Sequence, residues 1–367
     1  MTPRLHPPRQ LLPLPDNRVW RTYTGGRLLD EIQSVVKPAD THFPEDWIAA
    51  TTRAINPGRD EPEEGLSTVI TPEGKFLLAN LIAADLTGWL GETHVDRYGS
   101  KGLILVKFLD AAVRLHVQAH PTVPFAQARL GANSGKSLAY VILRTRPEQA
   151  QPYIFLGFQR LPNREEFRRI VEQQDIAAME ACFERIPVKP GDAFYVPGGL
   201  PHAIGEGVLM VEIMEPTDFV VRLEFEKAGY TLPESARFMN RGIDFALDMV
   251  DFKPRPVPEI LAENRTVAAP VASGPGYLRE ILIGPCHTPH FRVERLIVQP
   301  GARVTFKESG FFIAIVTSGS GLWQSEEGSG TFAPFDKFFA PANLGTYEVE
   351  VPAGTPGGLS LLLCFPQ

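Results

Sequence analysis

The chain has 367 residues, 44% of them apolar and 22% charged, with a formal net charge of -7; that is room for two or three domains of ordinary globular composition. The mildly acidic balance excludes the basic footprint of a nucleic-acid binder or an anionic-membrane binder, and no apolar run reaches membrane-spanning length. Three scattered cysteines, Cys182, Cys286 and Cys364, predict reduced thiols in a cytoplasmic protein, not a disulfide frame or a Cys-built zinc site.

In chain order, the Pro-rich opening lacks an apolar core of signal-peptide length, so export is not expected, and its first fifteen residues read as a loose arm. The acidic, Pro-rich run 56–65 reads as a surface loop. Helical spacing from Phe76 to Leu86 predicts a helix ending at Gly88. Leu103 to Leu109 reads as a buried strand. The segment His116-Val117-Gln118-Ala119-His120 then alternates polar and apolar, so His116, Gln118 and His120 share one face at strand period two. Burying three such groups is costly without a partner, and a metal is one. The stretch 131–137, which ends Gly135-Lys136-Ser137, is not a phosphate loop, because Leu130 stands where the first glycine of that motif is needed.

Asn163 followed by Glu166 predicts a capped helix start, with a second helix near 176–183. The most informative stretch is Gly191 to His202, which reads G-x5-P-x-G-x2-H. A turn at Pro190-Gly191-Asp192 leads into an apolar strand, Ala193 to Val196. Pro197-Gly198-Gly199 forms a second tight turn, after which His202 is held by backbone geometry, as a metal ligand must be. Val208 to Ile213 predicts a further strand carrying Glu212, and helical spacing returns from 236 to 249. Prolines over 251–258 predict an extended, helix-free linker. From Tyr277 to Phe365 the chain reads as strands and turns, with a histidine-free copy of the turn–strand–turn pattern at 328–343. Cys286-His287-Thr288-Pro289-His290 fits no common zinc spacing and reads as a surface turn.

Several of these segments together resemble type I mannose-6-phosphate isomerase, a zinc-dependent cupin family. The resemblance rests on Trp20 with Gly25-Gly26-Arg27-Leu28, Glu45-Asp46-Trp47 and Lys107-Phe108-Leu109-Asp110-Ala111. It continues through Gln118-Ala119-His120-Pro121, Gly135-Lys136-Ser137, the motif ending at His202, Glu212-Ile213 and Thr217 to Arg222. It implies a mainly β fold of two cupin (jelly-roll) barrels with a small helical insertion. Residues 1–250 would form the catalytic barrel, 251–274 a linker and 275–367 a second, degenerate barrel. It also implies one Zn2+ per chain, in the first barrel, on Gln118, His120 and His202. The implied activity is aldose–ketose isomerisation of a sugar or sugar-phosphate substrate, mannose 6-phosphate to fructose 6-phosphate. Arg222 would stabilise the enediolate, Lys136 would line the cleft and Glu212 would serve as base or acid.

Two departures stand out. The family's fourth ligand is a glutamate where this chain has Leu138, and a family serine that helps hold the substrate phosphate is here His116. His116 is therefore a candidate replacement ligand, or else a hydrogen-bonded barrel histidine. The departures leave room for an isomerase of an unphosphorylated or modified sugar, and for a non-catalytic sugar-binding cupin. On structural readings, Glu212 pairs with Lys107 or Arg222, Lys136 is a solvated turn lysine and Asp218 a turn residue.

Overall fold

A computed structural model describes residues 6–366 apart from 57, 72, 102, 161 and 162. Strand outweighs helix, 34% against 20%, as a mainly β fold requires. Four principal sheets carry the architecture, their strands paired antiparallel and none closing on itself among the described residues. The five-stranded sheet runs Ile186–Pro187, Tyr153–Leu156, His202–Ile204, Gln118–Ala119, Val221–Arg222. Against it lies a six-stranded sheet in the order Ala193–Val196, Leu138–Thr145, Val208–Met214, Leu105–Asp110, Glu45–Ile48, Arg18–Val19. The C-terminal half supplies a four-stranded sheet and a seven-stranded one centred on Phe312–Gly319, Leu359–Pro366 and Phe291–Val298.

Side-chain alternation stacks these sheets. In the strand Leu138–Thr145, Leu138, Tyr140 and Ile142 join the core that also holds Ile154, Leu156 and Ile204 of the five-stranded sheet. Ala139 and Val141 point the other way, into a core shared with Phe291, Val293, Ile313, Ile315, Leu362 and Cys364 of the seven-stranded sheet. Phe312, Ala314 and Val316 alternate in turn into a core with Phe306, Trp323, Tyr347 and Val349 of the four-stranded sheet. Four layers therefore enclose three successive cores, and the middle one joins the two halves of the chain.

Several elements follow the sequence reading. Asn163 caps Arg164–Gln173 by accepting from Glu166 N–H, and the strand Ala193–Val196 is where the motif predicts it. Others differ for physical reasons. The opening residues are not a loose arm from residue 7 onward: Leu12–Pro13 pairs with Phe338–Phe339, and Leu11 and Leu12 are buried in C-terminal cores; residues 1–5 lie outside the described residues. Asp85 accepts from Gly88 N–H and so caps a new helix, Leu86–Leu90, placing Gly88 inside a helix. The proposed linker is helix-free only to Pro256, since Val257–Asn264 is a helix with proline in its first turn, where a missing N–H costs nothing. The helical stretch expected over 236–249 is broken into Glu234–Arg237 and Gly242–Met249 by Met239 and Asn240, both at positive φ.

Candidate active site

The site is built between the five- and six-stranded sheets by strand register. On the five-stranded sheet Gln118 stands opposite His202 on one side and Arg222 on the other. On the facing sheet Glu212 stands opposite Tyr140 on one side and Lys107 on the other. Two rows of polar side chains thus meet across an otherwise apolar interior. The pocket between them is lined by Gln118, His120, Lys136, Glu212, Arg222 and His116 among others.

His120 Nδ1 lies 2.8 Å from the Phe219 carbonyl oxygen, and His202 Nδ1 lies 2.8 Å from that of Leu200. A carbonyl oxygen only accepts, so each Nδ1 carries the proton and each Nε2 keeps its lone pair. The two rings pack with centroids 4.9 Å apart, and the Gln118 amide nitrogen is 3.4 Å from His202 Nε2. Burial, with Lys136 nearby, holds His120 well below its ordinary pKa, and burial brings His202 down to about 4. Two neutral imidazoles with tautomers fixed by backbone carbonyls form a donor set that fits zinc, and rotation of the Gln118 amide would add its oxygen as a third donor. Leu138 is fully buried in the apolar core and donates nothing.

The structure does not gather His116 with this trio. Its Nδ1 is 3.0 Å from the Glu224 carbonyl oxygen and its Nε2 is 3.1 Å from the Thr22 hydroxyl, so both ring nitrogens are engaged. Among the described residues no group of three or more His, Cys, Asp or Glu is arranged to hold a metal ion. Of the two expectations for His116, these contacts favour the hydrogen-bonded histidine: it sits on the pocket wall, kept neutral by burial and by Arg222, with its pKa lowered to about 3.

The charged groups form a chain. Lys107 Nζ bridges Glu212 at 2.6 Å and Glu45 at 3.2 Å, so the structural pairing read for Glu212 is real and its setting is not apolar. Arg21 pairs with Glu45 at 2.9 Å and with Asp218 at 3.0 Å. Asp218, read from sequence as a turn residue, is thereby a buried part of the wall. Burial opposes its ionisation, yet Arg21 and Lys136 hold it below the usual carboxylate range. Lys136 is only 5% exposed and its Nζ lies 3.8 Å from Asp218. It is not a solvated turn lysine. Burial brings its pKa down to about 8 in spite of Asp218. Arg222 makes one long hydrogen bond, 3.4 Å to the Ala236 carbonyl, and burial lowers its pKa to about 10.

Sequence reasoning missed Arg21, Tyr23 and most of the role of Glu45, whose carboxylate accepts from the Tyr23 hydroxyl at 2.6 Å and the Trp47 indole at 2.7 Å. Glu45 and Trp47 belonged to the resemblance, but nothing in their spacing pointed to a residue as distant as Asp218.

No family model matches the chain. It is 34% identical over 120 residues to GmuF of Bacillus subtilis (strain 168), named a probable mannose-6-phosphate isomerase; the match covers 33% of this chain and 36% of that protein. It is 34% identical over 133 residues to the mannose-6-phosphate isomerase ManA of the same strain, covering 36% and 39%. The matched segments thus span little more than a third of these relatives. In structure it superposes with a TM-score of 0.70 on the mannose 6-phosphate isomerase from Bacillus subtilis, at 20% identity over 96% of this chain and 99% of that one. A zinc-bound mannose 6-phosphate isomerase superposes with a TM-score of 0.69 at 17% identity, over 97% and 99%. The resemblance read from the sequence is borne out: the chain has the fold of the mannose-6-phosphate isomerases, and over about a third of its length its sequence is similar to theirs.

Proposed function

We propose that this chain is a zinc-dependent aldose–ketose isomerase acting on a sugar phosphate, with mannose 6-phosphate and fructose 6-phosphate as the first pair to test. The observation that carries the reading is the pair His120 and His202, each with its Nδ1 proton fixed on a backbone carbonyl, beside Gln118 in a pocket lined by Lys136, Arg222 and Glu212. The names of the relatives supply the substrate class. We place the site in one of two jelly-roll barrels, formed by the five- and six-stranded sheets within residues 1–250. The second barrel is built on 275–367 from the four- and seven-stranded sheets, with edge strands lent by the opening segment (Leu12–Pro13) and by the 251–274 connection (Ala269–Gly274).

His120, His202 and Gln118 would hold the zinc, which supplies Lewis acidity that polarises or anchors substrate oxygens. The remaining chemistry belongs to the side chains. Glu212, ionised against Lys107, accepts the proton carried between C1 and C2 and returns it to the neighbouring carbon. Arg222 is half-buried with no carboxylate among its described hydrogen bonds, so its charge is available to the enediolate. Lys136, with its pKa near 8, adds positive charge to the same cleft at neutral pH. A non-catalytic sugar-binding protein does not fit as well, because buried cations are costly and this pocket keeps three, Arg21, Lys107 and Lys136, beside the half-buried Arg222. The test is proton exchange between C1 or C2 and solvent, followed by NMR, with zinc content measured on the same sample.

His116 favours a second reading, an isomerase of an unphosphorylated sugar. Its protonated Nδ1 is spent on the Glu224 carbonyl and its unprotonated Nε2 accepts from the Thr22 hydroxyl, so the ring offers no donor to a phosphate oxygen. Faster turnover of mannose than of mannose 6-phosphate, reversed in His116→Ser, supports that reading; an unchanged preference removes it.

A further inference from the structure

The segment Cys286 to His290 was expected to be a surface turn, and its cysteine is indeed exposed, but Thr288 within it is completely buried. It lies against the back of the turn that carries Lys136. Tyr195, on the strand of the His202 motif, lies between the two: burial pushes its hydroxyl pKa up while the neighbouring Ser137 and Thr288 side chains oppose the rise, and its ring packs at a centroid distance of 6.2 Å from His287. Below this contact sits Glu215, 3% exposed. Its Oε2 accepts from Gly135 N–H at 2.9 Å, and its Oε1 accepts from Ser137 N–H at 2.9 Å and from the Ser137 hydroxyl at 3.0 Å. His290 Nε2 lies 3.9 Å from the same Oε1.

Further backbone groups of the turn are also tied. Lys136 N–H donates to the Pro121 carbonyl at 2.9 Å, and the Thr217 hydroxyl donates to the Gly135 carbonyl at 2.7 Å. Gly135 admits no side chain, since a Cβ there would come within 2.6 Å of the Pro121 oxygen. A buried carboxylate that spends its lone pairs on the backbone of one short turn fixes that turn far better than a neutral acceptor does. Lys136 projects from its middle.

We propose that Glu215, Tyr195 and Thr288 form a positioning unit for Lys136, through which the C-terminal half of the chain sets the geometry of a site it does not otherwise contribute to. The inference rests on the place given to Lys136 in the proposed reaction. Misplacing a charged group by about 1 Å costs on the order of a hundredfold in rate, and an amide at 215 would set its N–H groups against a backbone N–H, of Gly135 or of Ser137, that the carboxylate accepts from.

The test uses full-length zinc-loaded protein and four variants: Lys136→Met, Glu215→Gln, Tyr195→Phe and Thr288→Val. The last two remove a single hydroxyl each and keep the question open to decision should Glu215→Gln fail to fold. Expected are a fall in kcat of about tenfold or more in Glu215→Gln, smaller falls in the other two, and a displaced alkaline limb of the pH–kcat profile in all three. Zinc content should stay at the wild-type level. Inactive Lys136→Met alongside wild-type kcat and pH profile in Tyr195→Phe, Thr288→Val and any folded Glu215→Gln overturns the positioning role alone. Full activity in Lys136→Met overturns it too, together with the role of Lys136 in the reaction.

Discussion

His202 and Lys136 carry the proposed metal binding and the proposed cleft charge, and their environments make opposite demands. His202 is neutral, its tautomer set by the Leu200 carbonyl, and buried at the junction of three strands. His202→Ala should abolish zinc binding while leaving the fold intact, since it removes one donor of three; metal analysis after dialysis checks this, and full retention of zinc would end the assignment. Lys136 is a cation buried at a cost. Its folded pKa of about 8 lies below the ordinary value near 10.5, so the folded state loses this proton before the unfolded chain does. The cost is present in full below pH 8 and is relieved as pH rises toward 10.5. Lys136→Met should therefore raise thermal stability at pH 7 while lowering activity, and the wild-type rate should decline as pH passes through about 8. A melting temperature lowered by the substitution would show that the Asp218 contact outweighs burial.

These residues were legible in the sequence because their signals are local. Gln118 and His120 alternate in one short segment, His202 follows a turn written in proline and glycine, and Lys136 sits between a glycine and a serine. Arg21, Glu45 and Asp218 gave no such signal, since their salt bridges join segments distant in sequence and exist only after the sheets form. The partners of His116 gave no signal for the same reason: its spacing gave its face, but Thr22 and the Glu224 carbonyl come from elsewhere.

At the scale of elements, the strand Leu138–Thr145 shows what the missing carboxylate means. Leu138 pairs with Val196 and Met214 and faces the same core as Tyr140, whose ring lies 6.4 Å from that of His202. A carboxylate at 138 therefore enters the interior on the face that carries the metal donors. Leu138→Glu should weaken the metal-free protein, because a buried carboxylate lacks a partner, and should tighten zinc binding by at least about tenfold. Thermal melting of the metal-free protein measures the first and calorimetric titration with zinc the second; unchanged affinity would show that the side chain does not reach the site. Helix ends were read less well than strands. The cap at Asn163 was legible, but the break at Asp85 and the helix begun by Pro256 depend on which of two local signals the tertiary packing selects.

For the whole molecule, the core between the six- and seven-stranded sheets decides how the halves behave. It joins Val106, Phe108, Val141 and Val211 to Phe291, Ile313, Phe339 and Leu362, so neither half buries its own apolar face alone. Unfolding should be a single cooperative transition, seen as agreement between calorimetric and van't Hoff enthalpies; two separated transitions would contradict the shared core. The opening segment is part of this arrangement. Leu11, Leu12 and Leu14 are 1%, 3% and 8% exposed, and at about 2 kcal/mol for each buried leucine their removal should destabilise the chain by several kcal/mol. The mainly β character was legible from the density of turns, but this layering was not, because alternation shows that a strand has two faces without showing what covers the second.

Isomerisation of a sugar phosphate in the pocket between the first two sheets, with zinc on His120, His202 and Gln118, is the proposal on which the other predictions depend. NMR observation of mannose 6-phosphate in deuterated water, with zinc-loaded protein, chelated protein and His202→Ala, tests it. The loaded protein should form fructose 6-phosphate with deuterium entering at C1 or C2, and neither should occur in the other two samples. Equal conversion in all three, or no conversion of mannose 6-phosphate or mannose by the loaded protein, would contradict it.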